Sequence, residues 1–171
     1  MTGAVLSRED ILKLLELKPP LVEGLVDLEE QLQPNGIDLT LRSVAIPSSL
    51  GQVGLAAEDR RIAENSPLQF DGLGYLELIP GSYLITYNEV VHLPKNVMAF
   101  GHPRSSLLRC GVTIHMAVWD AGYSGRSQSL MVVYNPYGFR IARNARVMQL
   151  VFFFLASEPQ QGYQGIFQGE G

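Results

Sequence analysis

One carboxylate in the middle of the chain stands apart from all the others. Asp120 is the only acidic residue between Glu89 and Glu158. A single acid among many cations is typical of a site that binds an anion and acts on it, because the cations neutralise the ligand. The sequence therefore indicates an anion site served by Asp120. The basic residues of this interval are Lys95, Arg104, Arg109, Arg126, Arg140, Arg143 and Arg146.

A second group of polar residues precedes Asp120 in the same stretch. Arg104, Ser105 and Ser106 combine a cation, two hydroxyl groups and the amides of a turn. This combination suits the oxygens of a phosphate, although a plain turn with a surface arginine has the same composition. Asp120 lies just before a glycine-containing turn, where aspartate often has only a structural role. From the residues alone, both a catalytic and a structural role stay open for Asp120.

The charge distribution argues against a nucleic-acid-binding surface. The net charge is −4, yet residues 90–157 contain seven basic residues and one acid, whereas residues 1–89 contain 14 acidic and six basic residues. Nucleic acid requires a broad basic face. A confined basic interval in an acidic chain fits a compact phosphate-bearing ligand better.

Composition places the chain among ordinary globular domains of 171 residues, with 46% hydrophobic and 18% charged residues. No apolar run approaches the roughly 20 residues of a membrane span, and the N-terminus reaches charged residues too soon for a signal peptide. Cys110 is the only cysteine, so no intrachain disulfide forms. We expect Cys110 to be a small buried side chain and the protein to work in the reducing cytoplasm.

The pattern of apolar residues and turns predicts an all-β fold, a sandwich or a barrel. Ser7 and Asp10 predict the start of a short helix that ends before Pro19, and from Leu21 onward the chain no longer looks helical. We predict a helical segment at 1–20, a β domain at 21–157 with a weak strand and an exposed loop or hairpin within 42–66, and a flexible tail at 158–171 whose aromatic residues dock on the domain. Strands are predicted at 21–26, 37–41, 68–70, 75–78, 82–87, 90–93, 97–102, 113–118, 127–134, 139–141 and 147–154.

Several common catalytic motifs are absent. There is no glycine-rich phosphate loop and no dinucleotide-binding fingerprint. The three histidines lack metal-ligand spacing and there is no cysteine pair, which excludes a zinc-dependent nucleobase deaminase. Ser105 and Ser106 are not in a Gly-x-Ser-x-Gly elbow, so a serine hydrolase is not favoured.

Five short segments, in this order, resemble the motifs of the dUTPase and dCTP deaminase superfamily, and their spelling is closest to the archaeal deaminase-like trimeric dUTPases. The resemblance implies a distorted jelly-roll β barrel that forms a homotrimer, with active sites between subunits. It covers the chain from about residue 21 to residue 169. The segments are Gln33-Pro34-Asn35-Gly36-Ile37-Asp38-Leu39, Pro103-Arg104-Ser105-Ser106-Leu107, Trp119-Asp120-Ala121-Gly122-Tyr123-Ser124-Gly125, Arg146-Val147-Met148-Gln149-Leu150 and Tyr163-Gln164-Gly165.

The resemblance also implies a role for each matching residue. Asp120 matches the aspartate that activates water, and Asp38 matches one that reaches Mg²⁺ through water; the metal arrives with the triphosphate. The remaining matches would bind substrate. Arg104, Ser105, Ser106 and Gln149 would contact phosphates; Tyr123 would pack under the deoxyribose; the hairpin ending at Trp119 would read the base; Tyr163, Gln164 and Phe167 would close over the nucleotide.

Members of the superfamily either hydrolyse dUTP or deaminate dCTP, and the residues separate these reactions. The deaminases place a glutamate ten residues after the motif aspartate, where this chain has Leu130, or Val132 if the count runs back from Asn135. No acid lies within 121–157. The sequence therefore predicts hydrolysis of dUTP to dUMP and pyrophosphate. A dCTP deaminase, a bifunctional deaminase–dUTPase, an inactive nucleotide-binding β trimer and a β-sandwich interaction module are the alternatives.

Overall fold

The computed structural model describes residues 4–171 and confirms the all-β fold. The main sheet has the strand order β8 (Val97–Pro103), β13 (Arg146–Phe154), β3 (Gly36–Pro47), β6 (Gly81–Tyr87), β11 (Gln128–Val133) and β9 (Val112–His115). Two further strands, β2 (Leu32–Gln33) and β4 (Asn65–Pro67), also pair with β3. A bridge between Ala99 in β8 and Trp119 beyond β9 joins the two edges of this sheet. The sheet is therefore a nearly closed barrel around an apolar core.

The helices are short, and the strands account for most of the regular structure. The helices are α1 (Arg8–Leu15), α2 (Leu28–Gln31) and α3 (Ser105–Arg109), with a 3₁₀ turn at Ala57–Asp59. The strands are β1 (Val22–Glu23), β2 (Leu32–Gln33), β3 (Gly36–Pro47), β4 (Asn65–Pro67), β5 (Tyr75–Leu78), β6 (Gly81–Tyr87), β7 (Val90–His92), β8 (Val97–Pro103), β9 (Val112–His115), β10 (Ser124–Gly125), β11 (Gln128–Val133), β12 (Phe139–Ala142) and β13 (Arg146–Phe154).

The N-terminal helix forms where the sequence predicts it. Ser7 and Asp10 make a reciprocal capping box, and Ile11 is fully buried. The segment before the helix is tied to the barrel, because the Leu6 amide donates to the Phe152 carbonyl at 3.0 Å and Val5 bridges Phe153. Helix α1 is thereby fixed beside β13.

Two expectations about local structure are wrong. The chain after Leu21 contains two further helices: Asp27 caps α2 through the Glu30 amide at 3.1 Å, and the predicted Arg-Ser-Ser turn continues as α3. The strand predicted at 37–41 and the weak strand predicted within 42–66 form one continuous strand, β3, because β2, β13, β6 and β4 all pair along it. Cys110 is exposed rather than buried, since it ends the surface helix α3.

No helix within residues 4–171 is both long and apolar enough to span a bilayer.

Candidate active site

Asp120 lies at the rim of a cleft and follows a firmly held residue. Trp119 is buried; its backbone exchanges hydrogen bonds with Ala99 at 2.9 and 3.2 Å, and its indole donates to Ser127 Oγ at 2.6 Å. The Asp120 carbonyl accepts from the Tyr123 amide at 3.0 Å and closes the following turn. The Asp120 side chain is exposed and has no hydrogen-bond or ion-pair partner within residues 4–171. The turn therefore fixes the backbone of Asp120 and leaves its carboxylate facing solvent.

Tyr123 is the centre of a buried polar chain beside the cleft. Its hydroxyl accepts from Ser127 Oγ at 3.1 Å and donates to Glu170 Oε1 at 2.9 Å. Burial raises the pKa of Tyr123, so the hydroxyl stays protonated and donates. Burial also raises the pKa of Glu170, and the hydrogen bond from Tyr123 opposes that shift. The order of donation thus runs from Trp119 through Ser127 and Tyr123 to Glu170.

A cavity of about 380 Å³ opens between this polar chain and the barrel wall. Aromatic and aliphatic side chains form much of its wall, and Ser127 and Glu170 are among the polar residues that line it. Its volume and lining are those of a site for a nucleoside-sized ligand. Asp120 lies in the adjacent cleft, and Tyr163 lines both spaces. The other named residues of the wall include Leu84, Trp119, Tyr123, Leu130 and Phe167.

A second cluster of charged residues lies across three neighbouring strands. Asp38 in β3 is 2% exposed, and its Oδ2 atom lies 3.3 Å from Arg104 Nε and 3.7 Å from Arg146 Nη1. Both contacts are ion pairs, and Oδ2 has no hydrogen-bond partner within the described residues. Burial raises the pKa of Asp38, and the two guanidinium groups act in the opposite direction. We call Asp38, Arg104 and Arg146 the arginine cluster.

A β-bulge sets which residues face the arginine cluster. Arg146 pairs with Thr40, but the register shifts between Arg146 and Met148, so that Gln149 pairs with Asp38. Without the bulge Met148 would lie opposite Asp38, because a one-residue slip reverses the faces of a strand. The bulge therefore places Gln149 beside Asp38 and leaves Met148 fully buried in the core.

The predicted phosphate residues meet at this edge of the barrel. Gln149 also pairs with His102 in β8, two residues before Arg104, and the Arg104 amide donates to the Val147 carbonyl at 3.0 Å. Ser105 and Ser106 lie exposed on the first turn of α3. The first, second and fourth motifs thus come together in one chain, whereas Asp120 makes no hydrogen bond or ion pair to them within residues 4–171.

The C-terminal tail is hydrogen-bonded along the segment that follows Asp120. The Tyr163 amide donates to the Ala121 carbonyl at 2.8 Å, and the Gly169 amide donates to the Ser124 carbonyl at 2.7 Å. Gln168 accepts from the Ser124 amide and donates to the Gly122 carbonyl, both at 3.1 Å. These contacts place Tyr163 and Phe167 against the cavity of about 380 Å³ beside Tyr123.

Close packing of the tail explains one glycine. Gly122 has a φ of +85°, and a Cβ atom there would lie 2.8 Å from the Gly162 Cα atom. Any other residue would strain the turn and push the tail away. Gln164, in contrast, is exposed and has no hydrogen-bond partner in the described part of the chain.

The structure also shows site residues that the sequence did not identify. Glu170, which lies outside the acid-free interval 121–157, contributes a second carboxylate to the lining of the cavity. Ser127 connects Trp119 to Tyr123, and Arg146 joins Arg104 at Asp38. Only Arg146 had a signal in the sequence, as the first residue of the fourth motif.

Comparison with known proteins identifies the family. Residues 5–155 match the family model described as dCTP deaminase-like. The chain belongs to the dCTP deaminase-like family. Its relatives include two proteins named probable deoxyuridine 5'-triphosphate nucleotidohydrolase. The one from Methanosarcina mazei is 46% identical over 98% of both chains, and the one from Archaeoglobus fulgidus is 47% identical over 98% of this chain and 97% of its own.

A solved structure has a similar fold. The 2'-deoxycytidine 5'-triphosphate deaminase from Agrobacterium tumefaciens superposes with a TM-score of 0.68 at 22% identity. The match covers 90% of this chain and 49% of the deaminase, so the chain spans about half of that protein. At this identity the likeness establishes the dCTP deaminase-like fold.

Tail docking in this family member is testable through Gln168. Gln168→Ala removes two hydrogen bonds, each contributing about 1 kcal/mol, so hydrogen exchange at the Tyr163 and Gly169 amides should accelerate by about tenfold or more. Gln160→Ala is the control, because Gln160 is exposed and has no hydrogen-bond partner in residues 4–171. Equal exchange rates in the two variants would show that Gln168 does not fasten the tail.

Proposed function

We propose that this chain is a dUTP diphosphatase, which hydrolyses the Mg²⁺ complex of dUTP to dUMP and pyrophosphate. The observation that carries the proposal is the exposed, unpartnered Asp120 carboxylate beside a nucleoside-sized cavity. The names of relatives at 43–47% identity support it. Hydrolysis within the nucleotide pool also fits the expected cytoplasmic location.

In the proposed reaction Asp120 orients a water molecule and takes its proton. A carboxylate accepts hydrogen bonds with both oxygens. The water attacks the α phosphorus. The bond from this phosphorus to the oxygen that bridges it to the β phosphorus breaks, and pyrophosphate leaves with that oxygen and the electron pair. The rigid turn after Trp119 keeps Asp120 in place for this step.

The arginine cluster is the proposed site for the phosphate chain. Arg104 and Arg146 lie together at the edge of the barrel, and Asp38 holds their guanidinium groups at 3.3 and 3.7 Å. Gln149, Ser105 and Ser106 add neutral donors beside them. Charged and neutral donors together match the many acceptor oxygens of a triphosphate.

The Mg²⁺ ion fits the proposal as part of the substrate. Residues 4–171 contain no group of three His, Cys, Asp or Glu side chains that would hold a metal. The charge of Asp38 is already balanced by two guanidinium groups, so Asp38 suits contact through water better than direct coordination. That water-mediated contact stays a prediction.

The cavity of about 380 Å³ beside Tyr123 is the proposed nucleoside site. Tyr123 would lie under the deoxyribose, where its ring excludes a 2'-hydroxyl, and Trp119 would back the hairpin that reads uracil. Phe167 and Tyr163 reach this cavity from the tail, with the Tyr163 ring centre 5.5 Å from that of Tyr123. Gln164, exposed beside Tyr163, is free to meet the phosphate chain.

A homotrimer with shared active sites is part of the same proposal. Within residues 4–171 the Asp120 carboxylate makes no ion pair, whereas Asp38, the acid of the arginine cluster, is buried and paired with two guanidinium groups. Asp120 would supply the acid that activates water, and the arginine cluster would supply the cations that bind phosphate. A cyclic assembly would bring Asp120 of one copy to the arginine cluster of its neighbour.

A dCTP deaminase is the second candidate, because Glu170 contributes an acid to the cavity. Deamination requires a proton shuttle near the base. The structure places Leu130, rather than Val132, in the cavity wall, and Leu130 has no proton to give. Glu170 is the alternative shuttle, yet it already accepts a hydrogen bond from Tyr123. The hydrolase therefore stays the preferred function.

Asp120→Asn tests the proposed role of the aspartate. The amide cannot take a proton from water, so kcat for dUTP should fall by about 10²–10⁴-fold while dUTP still binds. The melting temperature should not change, because the side chain is exposed and unpartnered. Glu58→Gln, at an exposed site in the 3₁₀ turn, is the control and should keep full activity. Undiminished turnover in Asp120→Asn would refute the mechanism, and absence of turnover in the unsubstituted protein would favour a nucleotide-binding β trimer without activity.

Incubation with dCTP separates the two candidate functions. We expect pyrophosphate from dUTP and no uracil nucleotide from dCTP, measured by chromatography of the products. Formation of dUTP or dUMP from dCTP would contradict the hydrolase-only proposal. In that case Glu170→Gln should abolish deamination if the tail glutamate is the shuttle, and it should leave dUTP hydrolysis measurable.

A further inference from the structure

Glu89 is a buried carboxylate that the proposed reaction does not use. It lies between β6 and β7, is 1% exposed, and has three donors around it. Gln31 Nε2 donates to Glu89 Oε1 at 2.7 Å, Thr40 Oγ1 donates to the same oxygen at 2.6 Å, and the Thr40 amide donates to Oε2 at 2.9 Å. A buried charge is costly unless it is paired in this way.

The direction of each hydrogen bond requires a carboxylate at this position. The Thr40 amide is only a donor, and the Thr40 hydroxyl already accepts from Asn88 Nδ2 at 2.9 Å, so its proton points to Glu89. Gln31 Oε1 accepts from the Asp27 amide at 2.8 Å, which turns Nε2 toward Glu89. All three contacts therefore need an acceptor, and an amide in place of Glu89 would set a donor against a donor.

The same groups fasten the strand that contains Asp38. Gln31 Nε2 also donates to the Asp38 carbonyl at 2.8 Å, and Thr40 lies two residues further along β3. Glu89 thus holds the backbone at 38–40 on both sides of Leu39, directly through Thr40 and indirectly through Gln31. Arg104 Nε lies 3.3 Å from Asp38, so a shift of this backbone would move the carboxylate that pairs with Arg104. Arg146 lies 3.7 Å from the same carboxylate and is also paired with Glu30 at 3.0 Å, so it would lose one of its two acidic partners.

We propose that Glu89 is the positioning residue of the arginine cluster and acts through Gln31 and Thr40. The inference rests on the proposed function of that cluster as the phosphate site. Glu89 touches neither substrate nor the reacting atoms. Its contribution is a fixed direction for Asp38, comparable to the groups that orient metal ligands, whose loss weakens binding or activity by about 10–100-fold.

Two changes that remove the hydrogen bonds provide the test, with inorganic tripolyphosphate as the probe. Glu89→Gln and Thr40→Val should weaken binding of tripolyphosphate, measured by calorimetry, by about tenfold or more. They should also raise KM for dUTP by more than they lower kcat. Thr40→Ser keeps the hydroxyl and should restore both values, although it loses a buried methyl group.

A matched control separates positioning from general stability. Tyr83→Phe also removes a hydrogen bond, the part-buried one from the Tyr83 hydroxyl to the Ile79 carbonyl at 2.7 Å, but at the other end of β6. It should leave tripolyphosphate binding and KM unchanged even where it lowers the melting temperature. If Glu89→Gln does not fold, the Thr40→Val and Thr40→Ser pair decides the question.

The outcomes distinguish this inference from the proposed function. Unchanged binding of tripolyphosphate in folded Thr40→Val, an equal loss in Tyr83→Phe, or no binding to the unsubstituted protein would overturn the role of Glu89. Binding of tripolyphosphate without any hydrolysis of dUTP would refute the proposed function, and the role of Glu89 would still be decided by the calorimetry.

Discussion

The site depends first on the β-bulge between Arg146 and Met148. Antiparallel pairing with β3 on one side and β8 on the other makes β13 the strand that joins three motifs distant in sequence. The bulge shifts the pairing by one residue, so a polar glutamine faces Asp38 and an apolar methionine enters the core. The register of β13 against β3 and β8 thus brings Asp38, Arg104, Arg146 and Gln149 to one edge of the barrel.

Burial then gives this edge its rigidity. Asp38 and Glu89 are both buried carboxylates, and each is compensated in a different way: Asp38 by two guanidinium groups, Glu89 by three neutral donors. Since leaving a buried charge without partners is costly, neither set of contacts relaxes easily. Asp120 differs from these buried carboxylates, because its backbone is fixed by hydrogen bonds while its side chain is exposed. The C-terminal tail packs along the segment that follows it.

The sequence predicts an all-β fold and the capped first helix, because alternation and capping chemistry are local signals. The resemblance in motif order adds the barrel and the residues proposed for the site. It does not predict the bulge, whose register is fixed only by pairing with β3. The burial of Glu89 and the entry of Glu170 into the cavity are equally invisible, since both result from contacts with residues far away in sequence. Exposure of Cys110 was missed for a different reason: a five-residue helix on the surface has no apolar periodicity long enough to recognise.

The central claim is that the Asp120 half of one copy works with the arginine cluster of another. Equal amounts of the variants Asp120→Asn and Arg104→Ala, each expected to be inactive alone, are mixed, dissociated and reassembled. Measuring dUTP hydrolysis by the mixture tests the claim most directly. If sites are shared between copies, random assembly leaves one site in about four with both residues intact, and about a quarter of the original activity returns. If each chain contains its own complete site, the mixture stays inactive, and the account of a shared active site is contradicted.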